Sequence, residues 1–172
     1  MFRGVQIMAK DAASGFTLIE LIVLVAIIAI IATVGIPSFN NLLRDTTIRS
    51  DGNALVGTIN LARSEAIRRS TLVWIAPTND SDWQAGWDIR VDDGDRSLDA
   101  DKDELLRHFN AIDSTILSSP TRLSIAANGS LASPTSSVEF HIAPEGCQNE
   151  EQRRLRVEVS GRASLSRMAC SN

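Results

Sequence analysis

The sequence has no tyrosine and only two lysines, two cysteines and two histidines among its 172 residues. Two histidines and two cysteines leave little room for a metal site and allow at most one intramolecular disulfide. Aromatics are sparse, five Phe and three Trp. An excess of positive charge is also missing: 17 basic residues face 21 acidic ones, a formal charge of −4. That balance excludes a strongly basic nucleic-acid protein at whole-chain level, but not a local basic patch. Internal repeats and low-complexity segments are absent. What is present is ordinary for a folded chain, 44% apolar and 22% charged residues, which excludes disorder as the main state. The length suits one domain, or one domain with an extension.

Two segments depart from these averages. Between Asp80 and Glu104 stand ten acidic and three basic residues, a net of −7, which leaves the rest of the chain at about +3. From Phe16 to Ile36 the chain is apolar with one charge, Glu20. As a helix this run reaches about 30 Å, the thickness of a bilayer core. A soluble core of this size rarely hides a helix that is apolar on every face. A cleaved secretory signal would have a shorter apolar region and a small-x-small exit, and no clean Ala-x-Ala follows this one.

Glu20 is the informative exception, because a carboxylate in such a run is costly unless paired. The stretch Gly15-Phe16-Thr17-Leu18-Ile19-Glu20-Leu21 resembles the type III signal of type IV prepilins and pseudopilins. The resemblance implies cleavage between Gly15 and Phe16 by a prepilin peptidase at the cytoplasmic face, and N-methylation of Phe16. Residues 1–15 would be the leader, whose Arg3 and Lys10 keep the N-terminus cytoplasmic. The new amine at Phe16 is then the natural partner for the Glu20 carboxylate of a neighbouring subunit, since a buried charge is tolerable only when paired. Glu20 is thus read as an assembly residue.

Pro37 follows the apolar run, with Gly35 beside it, and a kinked or melted turn is expected there. Beyond it, Ile48, Gly52, Leu55, Ile59, Ala62 and Ala66 fall on one helical face. The pattern predicts one long helix from about Phe16 to Arg69: a transmembrane segment over 16–36 and an amphipathic half over 37–69. The segment Asn53–Arg69, above all Leu61-Ala62-Arg63-Ser64-Glu65-Ala66, is similar to the helix end of the GspH/FimT/FimU group of minor pilins and pseudopilins. Trp83–Trp87, Asp88–Asp92, Leu105-Leu106-Arg107 and Val159–Arg162 fit the same group. By composition, Arg63 and Glu65 read as a solvated helix edge.

After Arg69 the period changes to two, predicting a globular sheet domain over 70–172. Expected strands are Leu72–Ala76, Gly86–Val91, Leu105–Phe109, Arg122–Ala126, Val138–Ile142, Arg154–Val159 and Ala163–Arg167. Asn128-Gly129 and Ser160-Gly161 are turn signals, the second closing a hairpin. The fold class is α+β, type IV pilin-like, with the long helix packed on an antiparallel sheet.

The resemblance places this domain in the periplasm, on a single-pass protein of the inner membrane that later joins a pilus or pseudopilus. In that oxidising compartment a Cys147–Cys170 disulfide is expected. A nucleophilic cysteine beside His141 or His108 is the rival reading, and nothing places a base and a third group near either sulfur. Asp99–Glu104 faintly resembles a calcium loop, but Glu104 and Asn110 stand where the EF-hand needs Gly and Glu. Related major pseudopilins bind calcium in an acidic loop, and the plainer reading is a solvated loop. No metal set or cofactor motif is read.

Some FimT-like pilins bind DNA through a C-terminal Gly-Arg-x-Arg element. Here Gly161-Arg162-Ala163-Ser164 lacks the second arginine. Arg154, Arg156, Arg162 and Arg167 could still form a phosphate or partner contact on the hairpin. The expected role is that of a minor pilin of the FimU/FimT kind, which primes a pilus and sits near its tip. The alternatives are a type II secretion pseudopilin and a DNA-binding competence pilin. Expected partners are other minor and major pilins and the prepilin peptidase; no catalytic set is found.

Overall fold

The computed structural model of the chain describes residues 16–147 and 151–170, with backbone alone at 34, 35, 37 and 38. Two compact units divide at Asn40 and Asn41. Helix α1 (Leu18–Arg69) contributes to both.

In the first unit the side chains of the apolar run are exposed, Phe16 at 85% and the following Leu, Ile and Val residues at about half or more. Gly35 and Pro37 stand inside α1 without ending it, so no melted turn interrupts the helix there. Among the described residues no helix is long and apolar enough to cross a membrane.

In the second unit α1 buries the stripe read from its sequence: Ile48, Gly52, Leu55, Ile59, Ala62 and Ala66. Each large side chain in such a stripe stabilises by roughly 1.5–3 kcal/mol on burial. The helix ends in a Schellman arrangement. Ser70 takes φ 54°, Ser70 N–H donates to Ile67 O at 3.3 Å, and Thr71 N–H to Ala66 O at 3.2 Å. Arg68 and Arg69 fill the last turn, where the helix dipole favours cations.

Nine strands follow among the described residues: β1 (Val73–Pro77), β2 (Trp87–Val91), β3 (Glu104–Phe109), β4 (Thr115–Ser118), β5 (Leu123–Ile125), β6 (Leu131–Ser133), β7 (Val138–Ala143), β8 (Glu151–Val157) and β9 (Ala163–Ala169). They form two antiparallel sheets rather than one, ordered β3-β2-β1-β5-β6 and β4-β7-β8-β9. The expected seven strands are all present. The two additional ones, β4 and β6, are only three or four residues long and carry no readable period. A bond from Leu131 N–H to Val159 O, 2.9 Å, ties β6 of the first sheet to the turn between β8 and β9.

One apolar cluster joins the α1 stripe to both sheets. It includes Val73, Ile75, Ile89, Leu123 and Ile125 from the first sheet and Phe140, Ile142, Leu155 and Val157 from the second. Trp83 and Trp87 lie in it with their polar ends bonded. The Trp83 indole donates to Pro120 O at 2.6 Å, and that of Trp87 to Thr58 Oγ1 at 2.9 Å.

Candidate functional site

At the start of α1, Thr17 and Glu20 form a capping box. Thr17 N–H and its hydroxyl donate to Glu20 Oε2 at 3.0 and 3.1 Å, and Glu20 N–H returns a bond to Thr17 Oγ1 at 3.3 Å. Within a single chain, the carboxylate expected to serve assembly therefore caps its own helix. The Thr-x-x-Glu spacing is the sequence signal for this cap. Phe16 lies exposed just before the box. Gly15, the other expected processing residue, lies outside the described residues, as does the side chain of Pro37.

The other end of α1 meets two turns. A Cβ on Gly129 would lie 2.7 Å from Ile67 Cδ1 and 3.0 Å from Arg63 Nε. A Cβ on Gly161 would collide with Gly129 O and touch Arg63 Cδ at 3.5 Å. Both glycines have positive φ, 79° and 76°. Arg63 is therefore half-buried beneath both turns, with its Nε sequestered from solvent and lacking a hydrogen bond, and is not a solvated edge residue. Glu65 accepts from Arg68 and, at 3.0 Å, from Arg69 Nε. These two arginines, Arg68 first, hold its carboxyl below the usual range. Arg69 continues to Glu104 at 2.6 and 3.2 Å. That bidentate pair pins the helix end to the first residue of β3.

The four arginines named for a hairpin contact, Arg154, Arg156, Arg162 and Arg167, are distributed over two faces and a turn. Directly opposed residues of neighbouring strands point the same way. Arg154 opposes His141 and Ser166, and Arg156 opposes Glu139 and Ser164, so these share the outer face of the second sheet. Arg167 opposes Arg153 and lies on the other face, towards α1. Arg162 is exposed in the β8–β9 turn. On the outer face Arg156 is paired with Glu158 at 3.0 Å and Glu139 at 3.8 Å. The glycine of Gly161-Arg162 is explained by its contact with Gly129, and Ser164 stands where a second arginine would be.

The acidic loop is organised around its own backbone. Asp92 and Asp103 are buried. Asp92 Oδ1 accepts from the Trp74 indole at 3.1 Å, and Oδ2 from Gly94 and Arg96 N–H at 3.0 and 3.2 Å. Asp103 accepts from Asp93 and Asp99 N–H at 3.1 and 2.9 Å. Asp92, Asp93 and Asp103 bring carboxylate oxygens within 4.8 Å of one another, but backbone donors already occupy both buried carboxylates. Ser97 holds the Asp95 carboxyl low through its N–H and hydroxyl. Asp99 is held low by Asp101 N–H and then Lys102. Beside this loop, a cavity of about 730 Å³ opens over Trp74, Asp92 and Ser124, and the buried Ser124 Oγ has no hydrogen bond.

Cys147 and Cys170 form a disulfide with Cα atoms 5.9 Å apart, so neither is a free nucleophile. The histidines stand beside carboxylates. His108 Nδ1 is 2.8 Å from Asp88 Oδ1, and His141 Nε2 is 3.5 Å from Glu139 Oε2.

Residues 51–162 match the family described as type II transport protein GspH. Residues 10–36 match the prokaryotic N-terminal methylation motif. Among solved structures the chain is similar to the type IV minor pilin FimU of Pseudomonas aeruginosa strain PAO1 in two crystal forms. One has 26% identity and a TM-score of 0.56, covering 69% of this chain and 91% of FimU. The other has 25% identity and a TM-score of 0.59, covering 73% and 92%. No characterised protein among the curated sequences matches. The expected fold, a long N-terminal helix on antiparallel sheet, is the one found.

Proposed function

As a member of the GspH family, the chain is a minor pilin or pseudopilin, and we propose that it is a minor type IV pilin that primes assembly of a pilus and stays near its tip. What carries this reading is the pairing of an N-terminal methylation motif over residues 10–36 with similarity to FimU over most of the chain. The family is one of structural pilins, and the reading assigns this chain no enzymatic step.

The mechanism follows from the residues. The run 16–36 anchors the chain in the inner membrane, with its N-terminus cytoplasmic and residues 70–172 periplasmic. Prepilin peptidase cuts after Gly15 and frees the amine of Phe16. Glu20 then exchanges its own Thr17 donors for that amine on a neighbour. Both states satisfy the carboxylate, and only the second joins two chains. An exposed apolar helix beside the amine packs against its counterparts, which supplies the nonspecific part of the association. Pro37 marks where the helix can yield during packing.

The description of the matched family favours a second reading, a minor pseudopilin of type II secretion. Deleting the gene in its host and scoring surface pili, twitching and secreted enzymes separates the two. Loss of pili with secretion intact is expected. Loss of secretion with pili intact would overturn the pilus reading in favour of the pseudopilin. A DNA-binding role is not proposed, since Arg156 is neutralised by two glutamates and the Gly161 turn has a packing reason to exist.

A further inference from the structure

A chain of five charges lies between α1 and the last strand. Asp45 is shared by Arg49, at 3.8 Å, and by Arg153. Glu151 is shared by Arg153, at 3.9 Å, and Arg167, at 3.5 Å. The order Arg49–Asp45–Arg153–Glu151–Arg167 alternates in sign and ends in a cation at both sides. Among the described residues, three guanidinium groups face two carboxylates in this chain. Arg153 is 4% exposed, and its Nε has no hydrogen-bond partner. Beside this chain is a cleft of about 280 Å³, lined by Arg49, Asn53, Arg153, Leu165, Ser166 and Arg167.

The same cleft runs along β9, a seven-residue strand at the end of its sheet. Among the described residues no strand pairs with its outer edge. Unpaired strand edges present backbone donors and acceptors that an extended peptide can use. Leu165 and Arg167 are two residues apart and so point to the same face. A strand added here would place alternate side chains against an apolar position and a cationic one.

We propose that the β9 edge with its Arg49–Arg153–Arg167 cleft is a docking site for an extended acidic segment of a partner subunit. The segment adds as a strand beside β9 and sets a carboxylate against the arginines and an apolar side chain against Leu165. The inference rests on the chain being a pilus or pseudopilus subunit, which is what makes the occupant a protein. A carboxylate complements the guanidinium groups of Arg49 and Arg167, the exposed cationic ends of this chain. A nucleic acid fits less well, because Asp45 and Glu151 repel successive phosphates and DNA offers no strand for the β9 edge.

The test uses the full processed chain in detergent micelles. The probe is a short, blocked, threonine-rich peptide bearing one aspartate two residues from a valine, compared with its asparagine and lysine versions and with a short DNA duplex. Fluorescence anisotropy is expected to show the aspartate peptide binding about tenfold tighter than the asparagine one, as a charge-assisted contact allows. Arg167→Glu and Arg49→Glu, both at exposed side chains, should each erase that preference, and Arg167→Glu should favour the lysine peptide. Arg154→Glu, on the opposite face, should leave it unchanged. An intact disulfide and unchanged circular dichroism verify folding of each variant. Equal binding of the aspartate and asparagine peptides overturns the proposal, as does a preference that survives both substitutions. Tighter binding of DNA with the same arginine dependence overturns the carboxylate assignment. The gene-deletion phenotype tests the pilus reading separately, so the two can fail independently.

Discussion

The indole N–H of Trp87 donates to the hydroxyl of Thr58 at 2.9 Å, and both residues are buried. The bond joins the C-terminal half of α1 to the first residue of β2. Thr58 in turn donates to Ala54 O at 2.9 Å, so its hydroxyl serves one backbone acceptor and one side-chain donor. Thr58→Val keeps the shape and strands the indole N–H. We expect a loss of about 1–3 kcal/mol, read from the midpoint of chemical denaturation followed by tryptophan fluorescence. Thr58→Ser should retain most of the stability.

Glu20 and Thr17 can be separated genetically. Glu20→Ala removes both the cap and the partner for a neighbour's amine. Incorporation into filaments should be lost while the protein still accumulates in the membrane. Thr17→Ala removes most of the cap and leaves the carboxylate. It should cost the helix start about 0.5–2 kcal/mol and permit incorporation. Normal assembly of Glu20→Ala, scored by immunoblot of sheared filaments, would sink the pairing account.

Gly161→Ala tests whether the β8–β9 turn is structural. The new methyl would meet Gly129 O at a φ of 76°. A loss of about 1–3 kcal/mol is expected. Gly94 serves as the comparison: its φ is 114°, but nothing lies within 4 Å of an added Cβ. Gly94→Ala should therefore be the milder change in thermal unfolding.

Removing the disulfide with Cys147→Ala/Cys170→Ala should cost about 2–4 kcal/mol through the unfolded state. The bridge holds Cys170, which follows the end of β9. The double variant should accordingly weaken the acidic-peptide binding proposed for that edge, and reduction of the unmodified chain should have the same effect.

Acid should destabilise the chain through Glu65, Asp95 and Asp99, whose carboxyls are all held below their ordinary values in the folded chain. Their contribution is complete above the unfolded carboxylate range and is lost as pH falls through the lower folded values. Denaturation midpoints across an acidic pH series should decline over that window. Glu65→Gln should make the decline shallower, because Arg68 and Arg69 then have no carboxylate to lose there.

Much of this architecture was legible in the chain itself. The apolar run with Glu20, the stripe from Ile48 to Ala66 and the alternation of Val138–Ile142 and Leu155–Val159 are local periods. Local geometry converts such periods into a helix and half-buried strands without reference to distant residues. Turn chemistry at Asn128-Gly129 and Ser160-Gly161 was equally local. Strand neighbours, by contrast, depend on pairings over long separations, so only the tertiary structure divided the strands into two sheets and revealed the short β4 and β6. It also moved Arg167 to the face of Arg153, because register decides which side a residue takes. Arg153 meets Asp45 across 108 positions, and Gly161 meets Gly129 across two turns. Neither contact leaves a period or a motif in the sequence, because each is made by three-dimensional closure around the helix.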